Sequence, residues 1–265
     1  MKLTIIGGGN MGGAIAHGLT AGSFFKPCDI TVLDVQEARL KALQELHSSI
    51  HTALNDYDKV SGADIVILAV KPWQIRDIIA NIQSRLDYAT QIVVSIAAGI
   101  SIDQLNEALL KPGDEHPLPA LFVLIPNTAI AVRQSMTLIA TKNASPEQQH
   151  LLLKIFDELG SAVFVDESQL AAGTAIASCG IAYLFRYIRA ATLAGVEMGF
   201  YAKEAQNLAV KTMLGAAALL DATQAHPETE IDKVTTPGGI TIKGLNELEA
   251  NGFSDAIIRA MRVSR

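Results

Sequence analysis

Two glycine-rich stretches hold the residues of this chain that are best suited to bind anions. The first runs from Gly7 to Gly12 and has glycine at the three fixed positions of a GxGxxG motif. In this motif the first glycine permits a tight turn, the second lets a pyrophosphate approach the backbone, and the third lets a helix lie close to a strand. Free N–H groups at the helix start then hold the phosphates. An ordinary glycine turn is the alternative.

The second stretch lies near the C-terminus and runs from Thr235 through Pro237-Gly238-Gly239 to Thr241. It leads directly into a helical pattern that continues through Leu248. Free N–H groups, a helix dipole and threonine hydroxyls would suit an anionic group of a small substrate. An ordinary helix start is an equally good interpretation of this stretch by itself.

The first glycine stretch lies between a predicted strand, Lys2–Gly7, and a predicted helix, Gly13–Leu19. Apolar β-branched runs and amphipathic segments alternate after it. This pattern predicts further strands over 29–34, 64–70 and 91–96, and helices over 36–46 and 73–86. Strands and helices at this spacing form right-handed βαβ crossovers and a parallel sheet that is buried on both faces. The sequence therefore predicts a doubly wound, Rossmann-type α/β domain that binds a dinucleotide.

The carboxyl ends of the predicted strands form the ligand crevice of such a sheet. Asp34 ends the second strand about 20 residues after the motif, where an acid bonds the adenosine ribose; a helix N-cap or a solvated turn is the alternative. A carboxylate facing the ribose favours NADH, whereas Arg39 favours NADPH, and the sequence leaves this choice open. Ala69–Pro72 and Ala97–Gly99 end two further strands beside the glycine turn. Lys71 is equally well interpreted as a cofactor contact or a surface residue.

Three more strands are predicted over 119–125, 135–141 and 161–165. A helix is predicted over 146–159, because Ser145 suits the N-cap position and a proline follows it at the first helical position.

The character of the chain changes near Asp166. Residues 169–213 have a helical pattern rich in small side chains, and residues 202–223 form a second helix of the same kind. We therefore expect a dinucleotide-binding domain over 1–165 and a helical dimerisation and substrate domain over 166–265.

The stretch Ser168–Phe185 carries no charge, which is compatible with a membrane span. Its many small polar residues, and Arg186 and Arg189 after it, favour instead a helix buried among helices. Two long apolar helices in a domain of about a hundred residues have too few partners of their own to cover them. We therefore expect no membrane association and a homodimer through the C-terminal helices, with a higher oligomer left open.

Composition and charge narrow the classes of function. A hydrophobic content of 49% and a charged content of 18% indicate an ordered globular protein. The net charge of −6, without a basic cluster, argues against nucleic acid as the main partner. Cys28 and Cys179 lie far apart, which argues against a disulfide framework or a thiolate zinc site. The N-terminus enters a strand without a signal-peptide pattern, so we expect a cytoplasmic protein.

A metal site is not expected. His47 and His51 have metal-ligand spacing only if one helix continues between them, and no third ligand is evident. The other histidines are dispersed along the chain: His17, His116, His150 and His226.

The chain resembles the pyrroline-5-carboxylate reductase family over nearly its whole length. The matching stretches are Gly7–Gly12, Ala69–Pro72, Ser95–Gly99, Pro126–Thr128, Pro237–Thr241 and Leu248–Phe253. The resemblance implies hydride transfer from NAD(P)H to the C=N bond of 1-pyrroline-5-carboxylate, which gives L-proline in the last step of proline biosynthesis. It implies a Rossmann-type domain followed by an all-helical dimerisation domain. The active site would lie between the nicotinamide and the glycine turn of the helical domain, where partner subunits interleave.

The motif, the strand ends and the resemblance together assign the cofactor contacts. These are Gly7, Gly8, Gly9, Asn10, Met11, Gly12, Asp34, Ala69, Val70, Lys71, Pro72, Ala97 and Asn127. The resemblance assigns the substrate contacts Thr235, Thr236, Gly238, Gly239, Ile240 and Thr241. It also implies that Thr241 is catalytic, because its hydroxyl would hydrogen-bond the ring nitrogen that gains a proton. No strong acid is required, since an iminium is already activated.

The chain also departs from the family pattern. Val123 stands where Arg is frequent, and Ala129 stands where Pro is frequent. Within 177–183 only the last two residues match. The departures keep two alternatives open: a reductase of another cyclic imine, or a nucleotide-binding regulator without catalysis. A β-hydroxyacid dehydrogenase would need a lysine on the first long helix of the second domain, and 169–188 contains none.

Overall fold

The computed structural model describes residues 1–111 and 118–265. The chain forms two compact units, Met1–Ser178 and Cys179–Arg265. One of the dispersed histidines, His116, lies outside the described residues.

The first unit is built on a single sheet. Its strands are β1 (Leu3–Ile6), β2 (Ile30–Asp34), β3 (His51–Leu54), β4 (Ile65–Leu68), β5 (Ile92–Ser95), β6 (Ala120–Ile125), β7 (Ser135–Lys142) and β8 (Gly160–Phe164). They lie in the order β3-β2-β1-β4-β5-β6-β7-β8. β1 to β6 are parallel, whereas β7 runs antiparallel to β6 and parallel to β8. β7 reverses because only a short 3₁₀ turn, without a crossover helix, joins it to β6 in this described stretch.

Helices cover both faces of this sheet. They are α1 (Asn10–Thr20), α2 (Glu37–Leu46), α3 (Ile75–Ile82), α4 (Ile102–Leu109), α5 (Pro146–Asp157) and α6 (Leu170–Gly173), and a π-helical turn (Thr174–Cys179) follows them. Along β4, Ile65 and Ile67 belong to one buried apolar cluster, and Val66 and Leu68 belong to another. Alternate side chains of a strand point to opposite faces, so each cluster packs on one face of the sheet. The predicted doubly wound domain is confirmed.

Most predicted elements of this unit are present within a few residues. The Ser145 hydroxyl accepts a hydrogen bond from the Gln148 main-chain N–H, and the Gln148 side chain accepts one from the Ser145 N–H. This reciprocal cap confirms the predicted start of α5. β3 and α4 were not predicted from the sequence. β3 pairs only with β2 at the edge of the sheet and buries one of its four residues, so it lacks a continuous apolar run.

The second unit is helical. Its helices are α7 (Gly180–Glu197), α8 (Ala202–Thr223), α9 (Pro227–Lys233), α10 (Ile240–Ala250) and α11 (Phe253–Val263). α8 has the predicted bounds. A turn at Met198–Tyr201, in which Gly199 has a φ of 101°, interrupts the helical pattern predicted over 169–213.

The long helices α7 and α8 leave large apolar side chains exposed in the single chain. Among them are Leu184, Phe185, Leu193, Leu208, Leu214 and Leu219. The segment Glu167–Glu197 is also long and apolar enough to cross a membrane, judged by length and composition alone. An exposed apolar surface of this kind indicates an interaction surface.

The first unit extends beyond the predicted boundary at 165/166. Its last residues are bonded to the sheet domain: Glu167 Oε1 accepts from the Ile102 N–H at 2.6 Å, and Ser178 Oγ donates to the Pro126 carbonyl at 2.9 Å. The change of composition near Asp166 therefore begins within the first unit, ahead of the compact helical one.

Candidate functional site

The glycine turn between β1 and α1 is shaped by very close backbone approaches. Gly7 has a φ of 109°, and a Cβ atom on it would lie 2.4 Å from the Ala69 carbonyl oxygen. A Cβ atom on Gly12 would lie 1.9 Å from the Gly7 carbonyl oxygen. Gly9 is the N-cap of α1, and no side-chain hydrogen bond caps this described helix start. The first N–H groups of α1 are therefore available to an anion.

A cleft of about 800 Å³ lies within the first unit, along the carboxyl ends of its parallel strands. Ten of the predicted cofactor residues line it: Gly7, Gly9, Asn10, Met11, Asp34, Ala69, Val70, Lys71, Pro72 and Ala97. The lining also includes Arg39, which the sequence analysis considered only for the choice between NADH and NADPH. Further lining residues that were not predicted as cofactor contacts are Asn55, Tyr57, Gln74, Thr128, Thr174 and Ser178. A long cleft beside an uncapped helix start is suited to an extended dinucleotide.

Asp34 lies at one end of this cleft with its carboxylate already bonded. Oδ2 accepts from the Gly8 N–H and Oδ1 accepts from the Gln36 N–H, each at 2.8 Å. Arg39 Nη1 lies 3.3 Å from Oδ2; the Arg39 side chain is 47% exposed, whereas that of Asp34 is 3% exposed. The charge that this end of the cleft presents to solvent is therefore the guanidinium of Arg39.

Tyr57 belongs to the same end of the cleft. Burial, and secondly the negative charge of Asp34, raise the pKa of its hydroxyl above the usual value. Tyr57 therefore stays a neutral hydroxyl at physiological pH.

Lys71 is an exposed residue of the cleft wall, and its main-chain N–H donates to Gln74 Oε1 at 3.2 Å.

Three predicted cofactor residues are not among those that line the cleft: Gly8, Gly12 and Asn127. Gly8 holds Asp34, and Gly12 lets α1 approach β1. Asn127 is buried, and its side chain donates to the Ala177 carbonyl at 3.1 Å and accepts from the Ala129 N–H at 2.9 Å. Contacts from these three residues to the cofactor stay a prediction; in the structure, the residues shape the glycine turn and the loop after β6.

The glycine turn of the second unit also ends in an uncapped helix start. Gly239 is the N-cap of α10, without a side-chain hydrogen bond in this described segment, and Gly238 has a φ of 75°. Ile240 is 87% exposed and Thr241 is exposed in the single chain, so the first N–H groups of α10 are accessible. The Thr235 hydroxyl donates to the Asp232 carbonyl at 3.1 Å and serves the turn itself.

The histidine pair with metal-ligand spacing is separated by the fold. α2 ends before His47, and His51 begins β3, so no helix joins them. The ring of His47 instead contacts the ring of His17. Burial, and secondly the charge of His17, lower the pKa of His47. No group of three metal-ligating side chains occurs among the residues described.

Two family models match this chain. Residues 167–265 match the model described as pyrroline-5-carboxylate reductase dimerisation. Residues 2–99 match the model described as NADP oxidoreductase, coenzyme F420-dependent. The two matches cover the C-terminal helices, the glycine turn and most of the residues that line its cleft.

Curated relatives match over the whole chain. Pyrroline-5-carboxylate reductase 1 of Dictyostelium discoideum is 37% identical over 274 residues; the match covers 99% of this chain, which spans about half of that relative (48%). Pyrroline-5-carboxylate reductase of Methanosarcina acetivorans is 35% identical, and the match covers 100% of this chain and 97% of the relative. The enzyme of Escherichia coli is 34% identical, with 98% and 94% covered.

Solved structures with the same fold include two from this group. The pyrroline carboxylate reductase of Plasmodium falciparum, solved with NADP bound, has a TM-score of 0.87 and 25% identity, and covers 100% of this chain and 95% of its own. The pyrroline-5-carboxylate reductase of Coxiella burnetii has a TM-score of 0.88 and 28% identity, with 99% and 95% covered.

Two adjacent glycines provide a matched test of the cofactor turn. We expect Gly12→Ala to weaken NADPH binding by at least about tenfold and to lower the Tm, because its Cβ collides with the Gly7 carbonyl. Gly13→Ala is the control, since its Cβ would meet only the Gly8 oxygen at 3.5 Å, an ordinary contact. Isothermal titration calorimetry measures both Kd values. An unchanged Kd in a folded Gly12→Ala protein contradicts the proposed phosphate site.

Proposed function

Because the chain belongs to the pyrroline-5-carboxylate reductase family, we propose that it reduces 1-pyrroline-5-carboxylate to L-proline with NAD(P)H, in the last step of proline biosynthesis. The observation that carries this proposal is the match of the whole chain to 97% of the Methanosarcina relative, because this match includes both uncapped glycine turns. Each turn offers main-chain N–H groups to an anion, one for a dinucleotide and one for a carboxylate.

The first unit supplies the cofactor site. The N–H groups of Asn10 and Met11 at the start of α1 would hold the pyrophosphate, and the adenosine would lie beside Asp34 and Arg39. Asp34 has both oxygens engaged by main-chain N–H groups, and Arg39 is the exposed charge next to it. A guanidinium attracts a 2′-phosphate, so NADPH is the preferred cofactor.

The second unit supplies the substrate contacts. The carboxylate of the substrate binds the N–H groups at the start of α10, from Gly239 to Thr241, with help from the Thr236 hydroxyl. The Thr241 hydroxyl hydrogen-bonds the ring nitrogen, and this nitrogen takes one proton from solvent as the hydride adds to the carbon of the C=N bond. When bound, the reduced nicotinamide supplies the hydride. The protein orients the two reactants and needs no strong acid, since the imine nitrogen becomes more basic on reduction.

The protein forms a homodimer through its C-terminal helices. Support comes from the dimerisation model that matches 167–265 and from the exposed apolar side chains on α7 and α8. The same partner would cover Glu167–Glu197, so this apolar segment faces protein and not a membrane. Cytoplasmic residence is part of the proposal, and both cysteines are free thiols, as a reducing compartment requires.

The dimer interface is tested with two exposed leucines. Leu214→Glu places a charge on α8, where the side chain is 57% exposed, and we expect the protein to become monomeric. Leu46→Glu is the control, because Leu46 is 69% exposed at the end of α2 in the first unit. Sedimentation equilibrium measures the mass. A dimer that survives Leu214→Glu and dissociates with Leu46→Glu would place the interface elsewhere.

The activity is tested by following the oxidation of NADPH and of NADH in parallel with 1-pyrroline-5-carboxylate. We expect turnover that depends on the substrate, with a lower KM for NADPH than for NADH because of Arg39. Turnover only with another cyclic imine would assign a different substrate. Binding of the dinucleotide without any turnover would indicate the non-catalytic regulator.

The role of Thr241 is tested by removing its hydroxyl. Thr241→Ala should lower kcat/KM roughly ten- to a hundredfold, about 1.4–2.7 kcal/mol in the barrier, with NADPH affinity unchanged. Thr229→Ala is the control, since Thr229 is an exposed residue of α9 outside the glycine turn. Steady-state kinetics with varied substrate measures the effect. Equal kcat/KM values for the two variants would remove Thr241 from the mechanism.

A further inference from the structure

The π-helical turn Thr174–Cys179 forms part of the cleft wall. Turns of this kind break the regular hydrogen-bond pattern of a helix and are frequent at functional sites. Here the Ala177 carbonyl accepts from Asn127 Nδ2 at 3.1 Å, and Ser178 Oγ donates to the Pro126 carbonyl at 2.9 Å. The turn is therefore bonded at two points to the loop that follows β6.

Two hydroxyls of this turn line the cleft, and both already donate their protons within the protein. Thr174 Oγ1 donates to the Leu170 carbonyl at 2.7 Å, and Ser178 Oγ donates to the Pro126 carbonyl. A hydroxyl has one proton to donate and two lone pairs that accept. Toward a ligand these oxygens therefore act as acceptors, and they select for a ligand group that carries an N–H or O–H.

The position of Ser178 along the sheet tells which end of a dinucleotide it meets. Asp34 ends β2 and Pro126 follows β6, and the sheet order places β1, β4 and β5 between these strands. Four strand spacings amount to about 19 Å. A dinucleotide with its pyrophosphate on α1 and its adenosine beside Asp34 directs its nicotinamide toward Pro126 and Ser178. The amide N–H₂ of the nicotinamide carboxamide is a donor at that end.

We propose that Ser178 is a cofactor-binding residue whose Oγ accepts a hydrogen bond from the carboxamide nitrogen of the nicotinamide. The inference rests on the proposed use of a nicotinamide dinucleotide in this cleft. The bond to Pro126 fixes the hydroxyl rotor, so the lone pairs have a set direction before the cofactor binds. Ser178 thereby helps to set the orientation of the ring that delivers the hydride.

The test compares NADP⁺ with 3-acetylpyridine adenine dinucleotide phosphate, in which a methyl group replaces the carboxamide N–H₂. Isothermal titration calorimetry on the intact protein should show that the wild type binds NADP⁺ about three- to tenfold more tightly, the size of one hydrogen bond. In Ser178→Ala the ratio of the Kd of the analogue to the Kd of NADP⁺ should fall below about twofold, because the variant loses affinity for NADP⁺. Thr20→Ala is the control, because its hydroxyl donates to the His17 carbonyl outside the cleft and should leave the ratio unchanged.

Adenosine 2′,5′-bisphosphate, which lacks the nicotinamide half, shows whether the variant is folded and keeps its adenosine site. Its affinity should be the same in the wild type and in Ser178→Ala. An undiminished preference for NADP⁺ in Ser178→Ala, or no preference in the wild type, overturns the inference and leaves the proposed reductase function intact. An equal loss of affinity for both dinucleotides in Ser178→Ala also overturns the inference, because a merely structural role of Ser178 would have that effect. A wild type that binds neither dinucleotide overturns the proposed function as well.

Discussion

The uncapped start of α1 is the feature on which the rest of the cleft depends. α1 begins directly after β1, and Gly12 lies so close to the Gly7 carbonyl that no side chain fits between them. Because no described side chain caps this helix start, its N–H groups are left for a ligand. A buried parallel sheet fixes the direction of those groups, since β1 is paired on both sides, with β2 and with β4.

Hydrogen bonds from the glycine turn and from the loop after β6 fix the polar groups at the two ends of the cleft. The Gly8 N–H holds the Asp34 carboxylate and thereby leaves Arg39 as the exposed charge of that end. At the β6 end, Asn127 and Ser178 bond main-chain carbonyls of each other's segment and hold the π-helical turn at the cleft wall. The second unit repeats the device of an uncapped helix start at Gly239, which suits the carboxylate of the proposed substrate. The same physical feature, free N–H groups at a helix start, thus serves both proposed reactants.

The sequence predicts the parts of the fold that depend on local chemistry. Turn geometry predicts the glycine positions before α1, capping preference predicts Ser145 at the start of α5, and periodicity predicts the bounds of α8. All three are found in the structure. Partners distant in the sequence are not predictable in this way. The carboxylate of Asp34 was expected at the ribose, but its hydrogen bonds to Gly8 and Gln36 depend on how β1 and β2 pair. The hydrogen bond of the Asn127 side chain depends on a π-helical turn 50 residues later in the chain, and local patterns around Asn127 do not predict that partner.

The most direct measurement of this account is a crystal structure of the protein with NADP⁺ and L-proline bound together. We expect the pyrophosphate on the N–H groups of Asn10 and Met11. We expect the proline carboxylate about 3 Å from the main-chain nitrogens at the start of α10, with the ring nitrogen at Thr241. A proline carboxylate held by other groups, with the start of α10 facing bulk solvent in the assembled protein, would contradict it.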